Sequence, residues 1–376
     1  MAIAVALTRT PVDEVEVTAY TVPTDEPESD GTLAWTSTTI VVVECRAGGE
    51  AGLGYTYGDV ATARLVDSLL AGVVVDLDAL EVGAAWEAMV GRLRNAGRPG
   101  LGYMAVAAVD IALWDLKARL LGLPLTTLLD ARHDAVPVYG SGGFTSYSPE
   151  RLAAQLAGWV EEGIPSVKMK IGRRPEEDAA RLRTAREAIG PDAALFVDAN
   201  GAYTRKQALG WAERLRGEWD VTWLEEPVSS EDLDGLRLIR DRAPGGLEVA
   251  AGEYGCTIAD FRRLLEAGAV DCLQADVTRC GGVTGLLALA GLADGFGIDI
   301  SAHTAPAVSA HAFAAVRRLR HLEYFHDHVR VESLLFDGVP APEEGALRPD
   351  RSRPGLGLEL KRGDAEPFLV HRGHVS

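Results

Sequence analysis

From residue 135 the chain repeats one unit eight times: a short run rich in Val and Ile, then an amphipathic stretch. The runs are AVPVYGSGG, SVKMKIG, LFVDAN, VTWLEEP, LEVAAGE, VDCLQADV, IDISAHT and HLEYF. The intervening segments, such as PEEDAARLRTAREAIG and IADFRRLLEAGA, have helical spacing and begin near Pro, Asp or Thr, as helix starts do. Parallel strands need a crossover between them, usually a helix. Eight such units in succession therefore predict a (β/α)8-type barrel over residues 135–330.

Residues 1–134 follow a different pattern. VDEVEVTAYTVP and TSTTIVVVECRAGG read as strands, and YMAVAAVDIALWDLKARLLGLPL has helical period closed by Gly122 and Pro124. Strands followed by helices predict a separate α+β unit. Between the strands lies PTDEPESDGT, residues 23–32, expected to be a mobile surface loop. Residues 331–376 carry Pro and Gly without alternation and are expected to pack back onto the N-terminal unit.

The bulk properties exclude several classes. A formal charge of −18 with no basic block argues against nucleic acid and anionic membrane surfaces as partners. No apolar run is long enough to span a bilayer. The opening MAIAVALTRTPVDEVEV lacks a basic leader region, and the four cysteines have no metal-type spacing. A cytoplasmic protein with reduced thiols is expected.

Each apolar run but the first ends on a polar group that an ordinary buried strand would avoid. These are Lys170, Asp198, Glu225, Glu253, Asp276, His303 and Glu323, separated by 28, 27, 28, 23, 27 and 20 residues. That spacing puts each at the C-terminal end of its own strand, where barrel chemistry is done. Five carboxylates buried there without partners would be prohibitive, so packing does not account for them.

Asp198, Glu225 and Glu253, on three consecutive strands, repel one another unless a cation intervenes. Hard oxygen ligands without Cys or His favour Mg2+, with Mn2+ possible. Glu226, next to Glu225, is expected to face the other way, whereas Asn200 shares the face of Asp198. On SVKMKIG, Lys168 and Lys170 both face inward, two of only five lysines in the chain. Adjacent ammonium groups disfavour each other's charge, so Lys170 is expected to be a base tuned by Lys168; an arginine cannot deprotonate. Asp276 would fix the tautomer of His303. Glu323 would hydrogen-bond a substrate oxygen as charge develops there. His326 and His328 in FHDHV imitate a metal pair, but the acid trio is the better site. A base on each side of a cation suits removal of a proton next to a carboxylate.

In order and spacing, VKMKIG, VDAN, WLEEP, AGE, ADVTRCGGVTG, SAHTAPAVSAH and HLEYF resemble the enolase superfamily, specifically its mandelate racemase-like subgroup. DIALWDLKARLLGLPL resembles the end of that family's capping domain. The resemblance implies a modified TIM barrel, (β/α)7β, with an N-terminal α+β capping domain whose loops near 23–32 and 50–58 supply specificity. It implies Mg2+ on Asp198, Glu225 and Glu253, bases Lys170 (beside Lys168) and His303 (paired with Asp276), and Glu323 on the substrate carboxylate. It also implies a small-molecule carboxylate substrate, a sugar acid undergoing dehydration, and a homo-oligomer. Racemisation, epimerisation or cycloisomerisation by 1,1-proton transfer is the alternative.

Overall fold

β-branched residues favour pleated, half-buried surfaces, and the N-terminal runs use them so. In this computed structural model, which describes residues 9–376, β1 (Glu14–Ser29), β2 (Ala34–Ala47) and β3 (Glu50–Tyr57) form an antiparallel meander. The leader region expected to be absent falls largely on residues 1–8, which lie outside the described residues. Alternation divides β2 between two cores. Val41 and Val43 pack with the helices of the same unit, while Ile40 and Val42 join the barrel's core.

Segment 23–32, expected to be a mobile loop, is mostly strand. β1 continues to Ser29, with an irregularity between Pro23 and Glu28 before Glu28 pairs with Trp35. A bulge tolerates the proline and the unpaired acids. Asp30 then closes the turn by accepting the Thr32 and Leu33 N–H groups, each at 2.6 Å.

The helix Leu101–Leu120 is apolar on nearly all sides because it is clasped between this sheet and the barrel. It crosses β3 where Gly54 stands; a Cβ there would lie 2.2 Å from the Ala108 carbonyl oxygen. Two buried aspartates on the helix bind its neighbours. Asp115 accepts from Leu53 N (2.8 Å), Leu356 N (2.5 Å) and Arg119 Nε (2.8 Å). Asp110 accepts from the Thr284 hydroxyl (2.6 Å) and N–H (3.0 Å) on a barrel helix.

Eight parallel strands follow: β4 (Val136–Gly142), β5 (Ser166–Lys170), β6 (Ala194–Asp198), β7 (Val221–Glu225), β8 (Glu248–Ala251), β9 (Cys272–Ala275), β10 (Asp299–Ala302) and β11 (Leu319–Phe325). They pair in sequence order, and β11 pairs with β4 to close the barrel. A helix follows every strand. Local chemistry starts several of them: Ser148, Thr204 and Thr257 cap N-termini, and Pro149, Pro175 and Pro306 open first turns. The eighth helix, His326–Leu335, faces the cap, where Glu332 accepts the Tyr55 hydroxyl at 2.6 Å.

The outward Val167 and Met169 on β5, and Ile171 just past its end, are fully buried, each worth about 1.5–3 kcal/mol. Inward, Tyr139, Phe196, Trp223 and His321 form a floor of touching rings across the lumen. The C-terminal strand Leu369–Val375 pairs antiparallel with β1. Among the described residues no helix is long and apolar enough to cross a membrane, and the four cysteines are buried and free.

Gly54→Ala should lower stability by about 1–3 kcal/mol, because helix and strand must separate to admit the methyl group. Thermal unfolding followed by circular dichroism checks this; an unchanged midpoint would mean the helix is not held at that distance.

Candidate active site

Strand register carries the polar groups to one rim. Lys170, Asp198 and Glu225 end β5, β6 and β7 and are ladder neighbours. Glu253, Asp276 and His303 come just after β8, β9 and β10, and Glu323 lies in β11. All seven are at most 7% exposed. The structure thus brings together every site residue expected from the sequence.

Lys168 sits at the centre, above the aromatic floor. Its Nζ lies 2.6 and 2.7 Å from the two Glu225 oxygens, 2.8 Å from Glu323 Oε1 and 3.6 Å from Asp198 Oδ2. Trp223 Nε1 donates to Glu225 at 3.0 Å, and the Ser141 hydroxyl donates to Glu323 at 2.6 Å. Lys170 Nζ is 2.5 Å from Asp198 Oδ2. Arg181 holds the ends of β4 and β5 by donating to the carbonyls of Lys170, Gly143 and Phe144 at 2.7–3.0 Å.

The expected tuning of Lys170 is reversed by its anionic neighbours. Burial disfavours its charge and Lys168 adds to that, but Asp198, Glu323 and Glu225 together outweigh both, and its pKa is raised. Lys168 is raised for the same reason: burial opposes its charge, while Glu225, Glu323 and Asp198 favour it more. Glu323 is held down at about 2: burial would raise it, but Lys168, His303 and Lys170 prevail.

His303 Nδ1 is 2.9 Å from Asp276 Oδ2, which leaves Nε2 3.3 Å from Glu253 and 3.7 Å from Glu323. Asp276 is itself fixed by the Thr278 N–H and hydroxyl, both at 2.7 Å, and by Arg279 Nε at 3.3 Å. Burial would depress His303, but Glu253, Asp276 and Glu323 raise it to about 10.

Asp198, Glu225 and Glu253 each offer an oxygen within 4.8 Å of the others. Glu226 Oε1 and Asn200 Oδ1 are buried without a hydrogen-bond partner. Oxygens left open beside three converging carboxylates fit a hard divalent cation.

Glu226 does not face away. Its φ of +38° breaks the strand alternation and leaves it buried at the rim. Burial, then the charges of Glu253 and Asp198, push its pKa well up. Asn200 (φ +45°) also lies past the strand end and donates its N–H to Asp198 at 2.8 Å. His328 stacks on Tyr57 with ring centroids 3.4 Å apart and accepts from Ala305 N at 3.3 Å, so it makes no metal pair with His326. Sequence reasoning passed over Ser141, Trp223, Arg181 and Arg279. Ser141 and Trp223 were legible by inward parity, and Arg279 as the third residue after Asp276; Arg181, on a helix outside the barrel, left no signal. A cleft of about 480 Å³ adjoins the rim between Tyr254, Cys256 and Arg279 on the barrel and Pro99 and Met104 on the cap.

Comparison with known proteins agrees with this geometry. Residues 14–130 match the family model for the mandelate racemase / muconate lactonizing enzyme N-terminal domain, and residues 151–365 match the enolase C-terminal domain-like model. The chain is 33% identical over 321 residues to a 3,6-anhydro-alpha-L-galactonate cycloisomerase of Streptomyces coelicolor, covering 84% of this chain and 87% of that protein. It is 31% identical over 340 residues to the L-talarate/galactarate dehydratase of Salmonella typhimurium, covering 86% of this chain and 81% of that one. The crystal structure of that dehydratase with Mg and L-lyxarohydroxamate superposes with a TM-score of 0.90, at 26% identity, covering 100% of this chain and 97% of the other. A mandelate racemase/muconate lactonizing enzyme-like protein from Rubrobacter xylanophilus superposes with a TM-score of 0.94 at 63% identity, covering 96% and 100%.

Two measurements test the electrostatics. Lys168→Met should destabilise the metal-free protein by about 3–5 kcal/mol, since it strands buried carboxylates; thermal melts in EDTA read this, and added Mg2+ should restore part of the loss. His303 has a folded-state pKa of about 10 against 6.5 unfolded. Its stabilisation is therefore full below pH 6.5 and is lost as pH rises through 10. In EDTA, urea midpoints of wild type and His303→Asn should converge over that window, and a constant difference would contradict the shift.

Proposed function

The chain belongs to the mandelate racemase / muconate lactonizing enzyme family of the enolase superfamily, and from that premise we propose that it dehydrates a sugar acid to a 2-keto-3-deoxy acid with Mg2+. One observation carries the reading. Two proton-transfer groups stand at opposite ends of the acid trio, Lys170 against Asp198 at 2.5 Å and His303 against Glu253 at 3.3 Å. Both curated relatives described above act on sugar-derived acids by their names, one as a dehydratase and one as a cycloisomerase.

In this proposal Asp198, Glu225 and Glu253 hold the Mg2+, and Mn2+ suits the same oxygens. When bound, the ion would supply positive charge against the substrate carboxylate as it gains electron density. With Asp198 engaged by the ion, Lys170 loses its main anionic partner. Burial and Lys168 then favour the neutral amine, which removes the α-proton. With Glu253 engaged by the ion, His303 would keep Asp276 and Glu323 as anionic partners that favour its charged form; Asp276 orients it, and Nε2 would deliver a proton to the departing β-hydroxyl. Lys168 keeps Glu323 ionised, whereas at Glu225 it only offsets part of the rise caused by burial and Asp198. Glu323 is therefore an acceptor, suited to a substrate hydroxyl rather than to the carboxylate contact expected from the sequence. The chain's relative among cycloisomerases favours one second reading, in which the same two groups move the proton without losing a hydroxyl.

A panel of aldonic and aldaric acids with Mg2+, assayed for 2-keto-3-deoxy products, separates the two. EDTA should abolish turnover and Mg2+ restore it. Lys170→Ala and His303→Asn should each lower kcat by about 10²–10⁴-fold. Near-normal turnover in either variant would end the two-group scheme, and substrate consumption without keto product would favour the second reading.

A further inference from the structure

The extended course of residues 23–29 brings cap side chains against the barrel on the far side of an aromatic wall from Lys170. Phe325 lies 6.0 Å from Lys170 Nζ, Phe144 lies 5.7 Å from Phe325, and Trp35 lies 5.5 Å from Phe144. Behind that wall, Asp25, Glu28 and His326 each place one ligand atom within 4.8 Å of the others.

Of the neighbouring cations, Arg151 reaches the cluster, contacting Asp25 Oδ2 at 3.1 Å, but Glu28 receives neither it nor Arg330, which donates to Asp327 and to the Pro23 carbonyl, both at 2.7 Å. The Thr38 hydroxyl occupies the other oxygen of Asp327. Glu28 is left in a different condition. Its side chain is 1% exposed, and one oxygen receives the neutral indole N–H of Trp35 at 2.8 Å. The other oxygen, Oε1, has no hydrogen-bond partner. A buried carboxylate with an open oxygen is costly unless a cation meets it.

We propose that Asp25, Glu28 and His326 bind a second divalent cation at the seam between cap and barrel. The imidazole sets its class. Two carboxylates and one ring nitrogen suit Zn2+, Mn2+ or Co2+, whereas the all-oxygen trio at the rim suits Mg2+. Asp25 Oδ2 already lies 3.1 Å from His326 Nε2, so the ligands meet without a large movement of backbone. An ion there ties β1 of the cap to the end of β11. It adds to the link between Ser29 and Thr145, whose hydroxyls lie 2.6 Å apart and whose backbones join at 2.7 Å.

The test is metal counting on the full chain. Wild type saturated with Mg2+ is dialysed against Zn2+, and bound metal is measured; one Zn2+ per chain is expected. Glu28→Gln, nearly isosteric, and His326→Gln should each weaken Zn2+ by at least about tenfold, and Asp25→Asn, at a half-exposed position, serves if either fails to fold. Glu225→Gln should impair Mg2+ binding yet leave Zn2+ uptake intact, which separates this site from the rim. Co2+ absorption should likewise depend on His326. The proposal falls if wild type takes up no Zn2+ under Mg2+, if the three variants bind it as wild type does, or if Glu225→Gln abolishes it.

Discussion

An excess of buried negative charge governs this molecule. Asp198, Glu225, Glu226, Glu253, Asp276 and Glu323 are each at most 3% exposed around one rim. Against them stand Lys168, Lys170, Arg279 and the imidazole of His303. Coulomb repulsion among carboxylates this close, in a medium of low polarisability, far exceeds what surface ion pairs can contribute. Lys168 relieves it by touching three acids at once, and a divalent ion held by the trio would relieve the rest. Lysine suits the central position because its compact ammonium fits between carboxylates from three different strands, where a planar guanidinium would impose its own geometry.

The scaffold must supply the energy to keep such a site together. It does so on the opposite faces of the same strands, where Val167 and Met169 on β5, Ile171 just past its end, and their counterparts lie buried under helices. The ring floor lies below Lys168, whose Nζ is 5.4 Å from the Tyr139 ring. The cap steadies the loop that carries Asp276. Thr56 donates to the Thr278 carbonyl at 2.8 Å, and Trp86 donates to the Gly281 carbonyl at 2.8 Å. Removing the cap would therefore disturb the partner of His303 as well as the roof of the pocket.

The barrel was legible because period and length agree at every unit: short apolar runs, helical spacers, polar ends. The seven strand-end residues were legible for the same reason. Parity failed where strands stop. Glu226 has positive φ, and a residue past the last ladder bond need not obey the alternation that places Lys168 and Lys170. The acidic segment 23–29 was misjudged because its turn-like composition concealed a bulged strand, whose pairing is supplied across the hairpin by Trp35 and Ala34. Sign as well as position misled for Lys170. Two lysines two residues apart suggest mutual repulsion, but Asp198 is nearer than the sequence reveals, and together with Glu323 and Glu225 it prevails.

By itself the sequence determined the eightfold βα order, the separate N-terminal unit and the identity of the groups that reach the rim, since a two-residue strand period and a helical period are local properties of the chain. Which of those groups touch, and hence their charge, was decided only when β11 paired with β4 and closed the circle. Closure carries Glu323 to within 2.8 Å of Lys168 across 155 residues and His303 to Glu253 across 50. Electrostatic energy depends on such distances in space, and no spacing along the chain specifies them.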